Sequence, residues 1–155
     1  ELLDGWVDVY LTDFKFMDVH LSGRYAHEEG YSFYAAKALE EMYRQTGAPV
    51  FDENGLMTKG IIVRHMVLPG QSMDSRQIID FLYENYGDNI YVSLMNQYTP
   101  SGPLDKYPEL QKRVKRQVYE RLIQYTIRKG VENAYIQEGG TAKESFIPDF
   151  DGEGV

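Results

Sequence analysis

The chain contains no cysteine. Disulfides, thiolate nucleophiles and Cys-ligated metal centres are therefore excluded within its 155 residues, and a reducing compartment is compatible with that composition. Positive charge is also in short supply: 16 Lys and Arg face 24 Asp and Glu, a formal net charge of -8. Phosphate backbones and anionic lipid thus exert no overall pull on it. No apolar run approaches the roughly 18 residues of a membrane span, and the opening ELLDG lacks the basic and apolar regions of a signal peptide. A cytoplasmic protein without nucleic-acid or membrane partners is the expectation. What is plentiful is apolar and aromatic content, 43% and 14%, enough for one cored domain over residues 1–155.

The most informative stretch is WVDVYLTDFKFMD, residues 6–18. Read with a period of two, it places Val7, Val9, Leu11, Asp13 and Lys15 on one strand face and Trp6, Asp8, Tyr10, Thr12, Phe14 and Phe16 on the other. Asp13 and Lys15, two apart at the carboxyl end of a parallel strand, would project into the mouth where α/β folds place ligands.

The polar residues 19–30 carry no sustained period. Ser32 is a plausible N-cap for a helix to about Thr46, with Phe33, Ala36, Leu39, Met42 and Tyr43 as its stripe and Gly47 as its terminator. Asn54-Gly55 signals a tight hairpin turn. A second strand, residues 59–68, is almost continuously apolar and suits burial on both faces. Asp74 and Gln77 resemble a capping box for a helix that turns Ile78, Ile79, Leu82 and Tyr86 inward and closes at Gly87. A third strand spans residues 89–95, a turn-rich loop follows, a helix runs from about Val114 to Gly130, and a fourth strand covers residues 133–137.

Strand and helix alternate, which predicts an α/β fold: a partial, half β/α barrel of about four mostly parallel strands with covering helices. A closed eightfold barrel takes roughly 250 residues. The abrupt start at Glu1 is what a segment of something longer would show.

The ordered motifs DVYLTDFKFMD, RHMVLPG, IYVSLMNQYTP, YPEL and ESFIPDFD resemble the carboxyl-terminal half of radical S-adenosylmethionine proteins related to pyruvate formate-lyase activating enzyme. The likeness covers nearly the whole chain. It implies a partial barrel in which a 4Fe-4S cluster binds and cleaves S-adenosylmethionine, and the resulting radical abstracts hydrogen from a glycyl radical enzyme or another protein substrate. It also implies that Asp13 and Lys15 contribute to the S-adenosylmethionine site, that Arg64 stands near that ligand's carboxylate, and that Asn96 and Gln97 lie near its adenosine. Related activating enzymes have a histidine about where Gln97 stands. The family's CxxxCxxC cluster loop has no counterpart here, and His20, His27 and His65 do not replace it. The cluster-binding amino-terminal portion is therefore expected to be missing, and the fragment to be inactive and prone to self-association.

The residues themselves leave other readings open. Asp13 and Lys15 could be a structural ion pair. Arg64, set in an apolar strand, needs some anion, whether a ligand or a neighbouring carboxylate. His65 points opposite to Arg64 and suits packing beneath a helix; His20 and His27 suit solvent. Residues 138–141, EGGT, could cradle an anion or form a plain turn. Lys112, Arg113, Lys115, Arg116 and Arg121 read as a solvated helix face. One rival function is an aldolase-like barrel with Lys15 as a Schiff-base amine, activated by burial and by Arg64. The other is a non-catalytic α/β binding module.

Overall fold

The computed structural model describes residues 2–137. In chain order its elements are β1 (Val9–Asp13), α1 (Val19–Ala26), α2 (Tyr31–Thr46), β2 (Val50–Phe51), β3 (Met57–Met66), α3 (Ser72–Tyr86), β4 (Tyr91–Met95), α4 (Arg116–Lys129) and β5 (Ala134–Ile136), with short 3-10 turns at Gly87–Asn89 and Pro108–Gln111. The glycine-rich 138–141 stretch and the ESFIPDFD motif lie outside the described residues.

Strands β1, β3, β4 and β5 form a parallel sheet in that spatial order, and β2 adds an antiparallel pairing at the start of β3. The monotonic order has a consequence. Each right-handed crossover steps the same way across the sheet, so the crossover helices all collect on one face. A doubly wound sheet reverses direction and covers both; this one winds singly, as a barrel does, and the α/β partial-barrel architecture follows.

Burial alternates accordingly. In β3, Ile61, Val63 and His65 are buried while Ile62, Arg64 and Met66 are only half-buried. In β4, Val92 and Leu94 are buried between half-buried Tyr91, Ser93 and Met95. The apolar run of the second predicted strand therefore does not mean burial on both faces. Its inward residues join Phe14, Leu39, Ile78, Ile79, Leu82, Ile90, Tyr119 and Leu122 in one continuous core. Each fully buried aliphatic side chain there contributes about 1.5–3 kcal/mol.

Three local expectations are corrected. The first strand stops at Asp13, and residues 19–26 form α1, a short helix capped by the Asp18 side chain, which accepts from His20 N and Leu21 N. Helix α2 starts at Tyr31 after Gly30, with no side-chain cap, and Phe33 is 56% exposed beneath the Lys37 ammonium instead of lining the core. Asp74 is not an N-cap either: α3 begins at Ser72, which places Asp74 in the first turn, pointing back at the β1 exit.

The Asn54-Gly55 turn is present, held by Asp52, whose carbonyl accepts from Gly55 N at 3.0 Å and whose carboxylate accepts from Asn54 N and Leu56 N at 2.9 and 2.8 Å. The β2 segment then passes so close to β3 that a Cβ at Gly60 would stand 2.9 Å from the Pro49 Cα, and Gly60 itself has φ of 134°.

Candidate functional site

The parallel pairing of β1 with β3 makes Asp13 and Arg64 direct register partners, and β4 sets Ser93 opposite Arg64 on the other side. All three belong to the face that no helix among the described residues covers. Arg64 Nε donates to Asp13 Oδ1 at 2.7 Å, and Lys15 Nζ stands 3.9 Å from Asp13 Oδ2. The side chains of Asp13, Arg64 and Lys15 are 33%, 39% and 57% exposed. Two cations thus share one carboxylate, and the cluster keeps an excess of positive charge open to solvent. Among the described residues, the Arg64 hydrogen bond uses only Nε and leaves the terminal nitrogens of the guanidinium fork available.

The partner Arg64 needed is Asp13 itself, one strand away. The remaining nitrogens are compatible with a ligand but do not require one. The exposure of Lys15 does not supply the burial that the Schiff-base alternative calls for.

Asn96 and Gln97 are held together at a different place, just past the end of β4. Asn96 N donates to Gln137 Oε1 at 2.9 Å, Gln137 Nε2 donates to Gln97 Oε1 at 3.3 Å, and Gln137 N donates to the Tyr119 hydroxyl at 3.0 Å. That hydroxyl donates in turn to Leu94 O at 2.6 Å, which ties α4 to β4. The strand ends therefore carry two groups, Asp13 with Lys15 and Arg64, and Asn96 with Gln97 and Gln137. Gln137 went unnoticed in the sequence although its position immediately after β5 obeys the same strand-end rule that picked out Asp13.

His65 packs beneath the helices as expected. It is 2% exposed, its Nδ1 lies 2.9 Å from Phe14 O and its Nε2 lies 2.9 Å from Ser75 Oγ. A carbonyl only accepts, so Nδ1 carries the proton and Nε2 accepts from the Ser75 hydroxyl. Burial pushes the imidazole pKa below its ordinary value, against a smaller opposing effect of the Phe14 carbonyl. Asp74 moves the other way: burial raises its carboxyl, while hydrogen bonds from Asp18 and Met17 N–H groups hold it back. His20 and His27 are exposed, as are Lys112, Arg113, Lys115, Arg116 and Arg121.

Among the described residues no group of three or more His, Cys, Asp or Glu is placed to hold a metal ion, and no helix is long and apolar enough to cross a membrane.

Fold and site together define an α/β protein with a singly wound parallel sheet and a charged cluster at one strand end. The chain is 30% identical over 124 residues to MJ0674, an uncharacterized protein of Methanocaldococcus jannaschii; the match takes in 79% of this chain and 32% of the relative. The chain thus spans about a third of the length of that curated relative. No protein-family model matches the chain, and no solved structure matches it.

Proposed function

We propose that this chain is the carboxyl-terminal portion of a radical S-adenosylmethionine enzyme resembling pyruvate formate-lyase activating enzyme, and that Lys15, Arg64 and Asp13 receive the amino-acid end of S-adenosylmethionine. The observation that carries the reading is the convergence of Lys15 and Arg64 on Asp13 at the mouth end of an uncovered sheet face. A guanidinium with free terminal nitrogens and a nearby ammonium suit a carboxylate, and the Asp13 carboxylate suits an α-amino group. The motif resemblance supplies the particular ligand, and the span of a third of its relative agrees with a part of a longer protein.

The donor set fits S-adenosylmethionine but not the cluster. With no cysteine in the chain and no cluster of metal-ligating side chains among the described residues, a 4Fe-4S centre would be held by other parts of the parent protein. Together, cluster and S-adenosylmethionine supply a carbon-centred radical able to abstract hydrogen from a partner protein such as a glycyl radical enzyme. This chain's own residues bind and orient the ligand: Arg64 by a fork, Lys15 as a point charge, Asp13 by holding both in register. Asn96 and Gln97, fixed by Gln137, offer amide groups for the adenosine end.

The test is calorimetric titration with S-adenosylhomocysteine, which shares the amino-acid end and is unreactive. Saturable binding that falls about tenfold or more in Arg64→Ala and in Lys15→Ala, consistent with loss of a charge-assisted contact, supports the reading. No binding at millimolar ligand, or binding indifferent to both substitutions, overturns it.

A further inference from the structure

Beyond Asp13 the β1 backbone leaves the sheet, and its peptide groups lose the ladder that satisfied them. Phe14 N still donates to Arg64 O at 2.9 Å, the last contact of the strand pair. The next residues are caught by side chains from three other elements. From α2, the Tyr31 hydroxyl accepts from Lys15 N at 2.8 Å and donates to Asp13 O at 3.3 Å, so one oxygen spans both ends of the two-residue step that separates the charged pair. From β3, His65 Nδ1 donates to Phe14 O at 2.9 Å and is itself fixed by Ser75. From α3, a single oxygen of Asp74 takes both Met17 N at 2.9 Å and Asp18 N at 2.7 Å.

Five backbone groups between Asp13 and Asp18 are thus satisfied by three side chains. Unsatisfied, such groups in a partly buried segment cost free energy comparable to a lost hydrogen bond each. Two of the three side chains are themselves nearly inaccessible, His65 at 2% and Asp74 at 5% exposure, so they have little freedom to follow a wandering loop. The Tyr31 ring is seated edge-on against Phe14 and Phe16, with centroids 6.3 and 5.7 Å away. Lys15 is otherwise poorly anchored, since its side chain is more than half exposed and its one ionic partner among the described residues is 3.9 Å distant.

We propose that Tyr31, His65 and Asp74 are positioning residues that latch segment 13–18, and that the latch sets where Lys15 presents its ammonium to the ligand held by Arg64. The proposal rests on the anion-site reading above but does not share its fate. A backbone placement is read directly by amide exchange, with or without a ligand. The latch couples the site to the packing of α2, β3 and α3 at once, so the ammonium is pre-placed before any ligand arrives and binding need not order it.

Tyr31→Phe tests this because it deletes the bridging hydroxyl and keeps the ring. Exchange of the Lys15 amide, followed by NMR, should rise about tenfold or more while the Ile61 and Val63 amides in the core strand stay as they were. With S-adenosylhomocysteine as the probe, Tyr31→Phe and Lys15→Met should each weaken binding about tenfold, and their combination should be no weaker than either alone. Asp74→Asn, which keeps an accepting oxygen, should hold binding near the wild-type level, whereas Asp74→Ala should not. A Lys15 amide unchanged in Tyr31→Phe overturns the latch. So does a hundredfold, additive loss in the double variant. If the wild-type chain takes no ligand, the anion-site reading fails and the exchange result alone decides the latch.

Discussion

Arg64 and Asp13 face each other as register partners on adjacent parallel strands, with Arg64 Nε 2.7 Å from Asp13 Oδ1. A slip of one residue would carry Arg64 to the helix-covered face, where Val63 and His65 are buried, so this ion pair and the core specify the same register. Both side chains are about a third exposed, and water screens the attraction. Asp13→Asn should therefore lower stability by less than about 1 kcal/mol, measured as the urea midpoint at constant slope. A loss of several kcal/mol would make the pair a structural element first and a ligand site second.

His65 is the opposite case. Replacing it with Phe should keep the volume but strand Phe14 O and leave the Ser75 hydroxyl only its 3.3 Å bond to Gln71 O, at a cost of about 1–3 kcal/mol. Its pH dependence has a definite sign. The folded imidazole titrates below its ordinary value, so the unfolded chain binds the proton more readily; stability is fully present above about 6.5 and drains away as pH falls toward the depressed folded value. Asp74 works in reverse: its raised folded carboxyl favours folding below about 3.8 and loses that contribution as pH rises through the higher folded value. Urea midpoints between pH 7 and 5 should fall in the wild type and fall less in His65→Phe. Parallel curves would assign the loss to other groups.

Helix α1 depends on one carboxylate. Asp18 accepts from His20 N at 2.7 Å and Leu21 N at 3.2 Å, and the eight-residue helix buries only Ser22. Isolated helices of that length are marginal. Asp18→Ala should cost about 0.5–2 kcal/mol and should raise amide exchange within residues 19–26 before any other region. Uniform exchange across the chain would show that the cap serves the whole fold and not the local helix.

What the sequence made legible follows from physical range. Period-3.6 patterns and apolar runs act over a few residues, and they located α4, β3 and α3, the last with its inward residues Ile78, Ile79 and Leu82. Helix α1 was hidden because its order is tertiary: Asp18, which caps it, has its own amide held by Asp74, 56 residues away. Asp74 looked like an N-cap because Asp followed by Gln three residues on carries that signature, yet a carboxylate in a first helical turn can serve any nearby N–H. The strand-end rule found Asp13 and Lys15 and extends to Gln137 after β5, but nothing local marks Tyr31, whose part comes from a helix and a strand end meeting in space. The exposed face was missed for β3 because an apolar run does not say which of its two sides a helix will cover.

Gly60 tests how closely the hairpin seats on the sheet. Its φ of 134° disfavours any side chain, and the atom a new Cβ would meet first is backbone, the Pro49 Cα at 2.9 Å. Backbone cannot rotate aside as a side chain would. Gly60→Ala should destabilise by about 1–3 kcal/mol, whereas Gly55→Ala, in open space at φ of 76°, should cost less because strain is its only burden. Equal losses at both positions would mean that strain dominates and the Pro49 contact yields.

The sheet face that no helix among the described residues covers sets the last expectation. Leu11 is 57% exposed and Tyr135 47% exposed; Tyr135 stacks on Tyr91 at 5.1 Å, and Tyr91 meets Phe51 at 5.6 Å, so an apolar and aromatic band runs below the charged strand end. Along the outer edge of β1, clefts of about 340 and 640 Å³ separate the strand from α2, the second lined by Leu2, Leu3, Tyr10 and Met42. Open parallel sheets rarely leave such a face or edge in water, because both template association. On the proposed reading the isolated chain should self-associate, with a sedimentation coefficient that climbs with concentration, and should bind an apolar dye. Leu11→Glu should suppress both and leave the urea midpoint within about 0.5 kcal/mol, as for an exposed substitution. A strictly monomeric chain that binds no dye would favour a self-sufficient binding module over a part of a larger barrel.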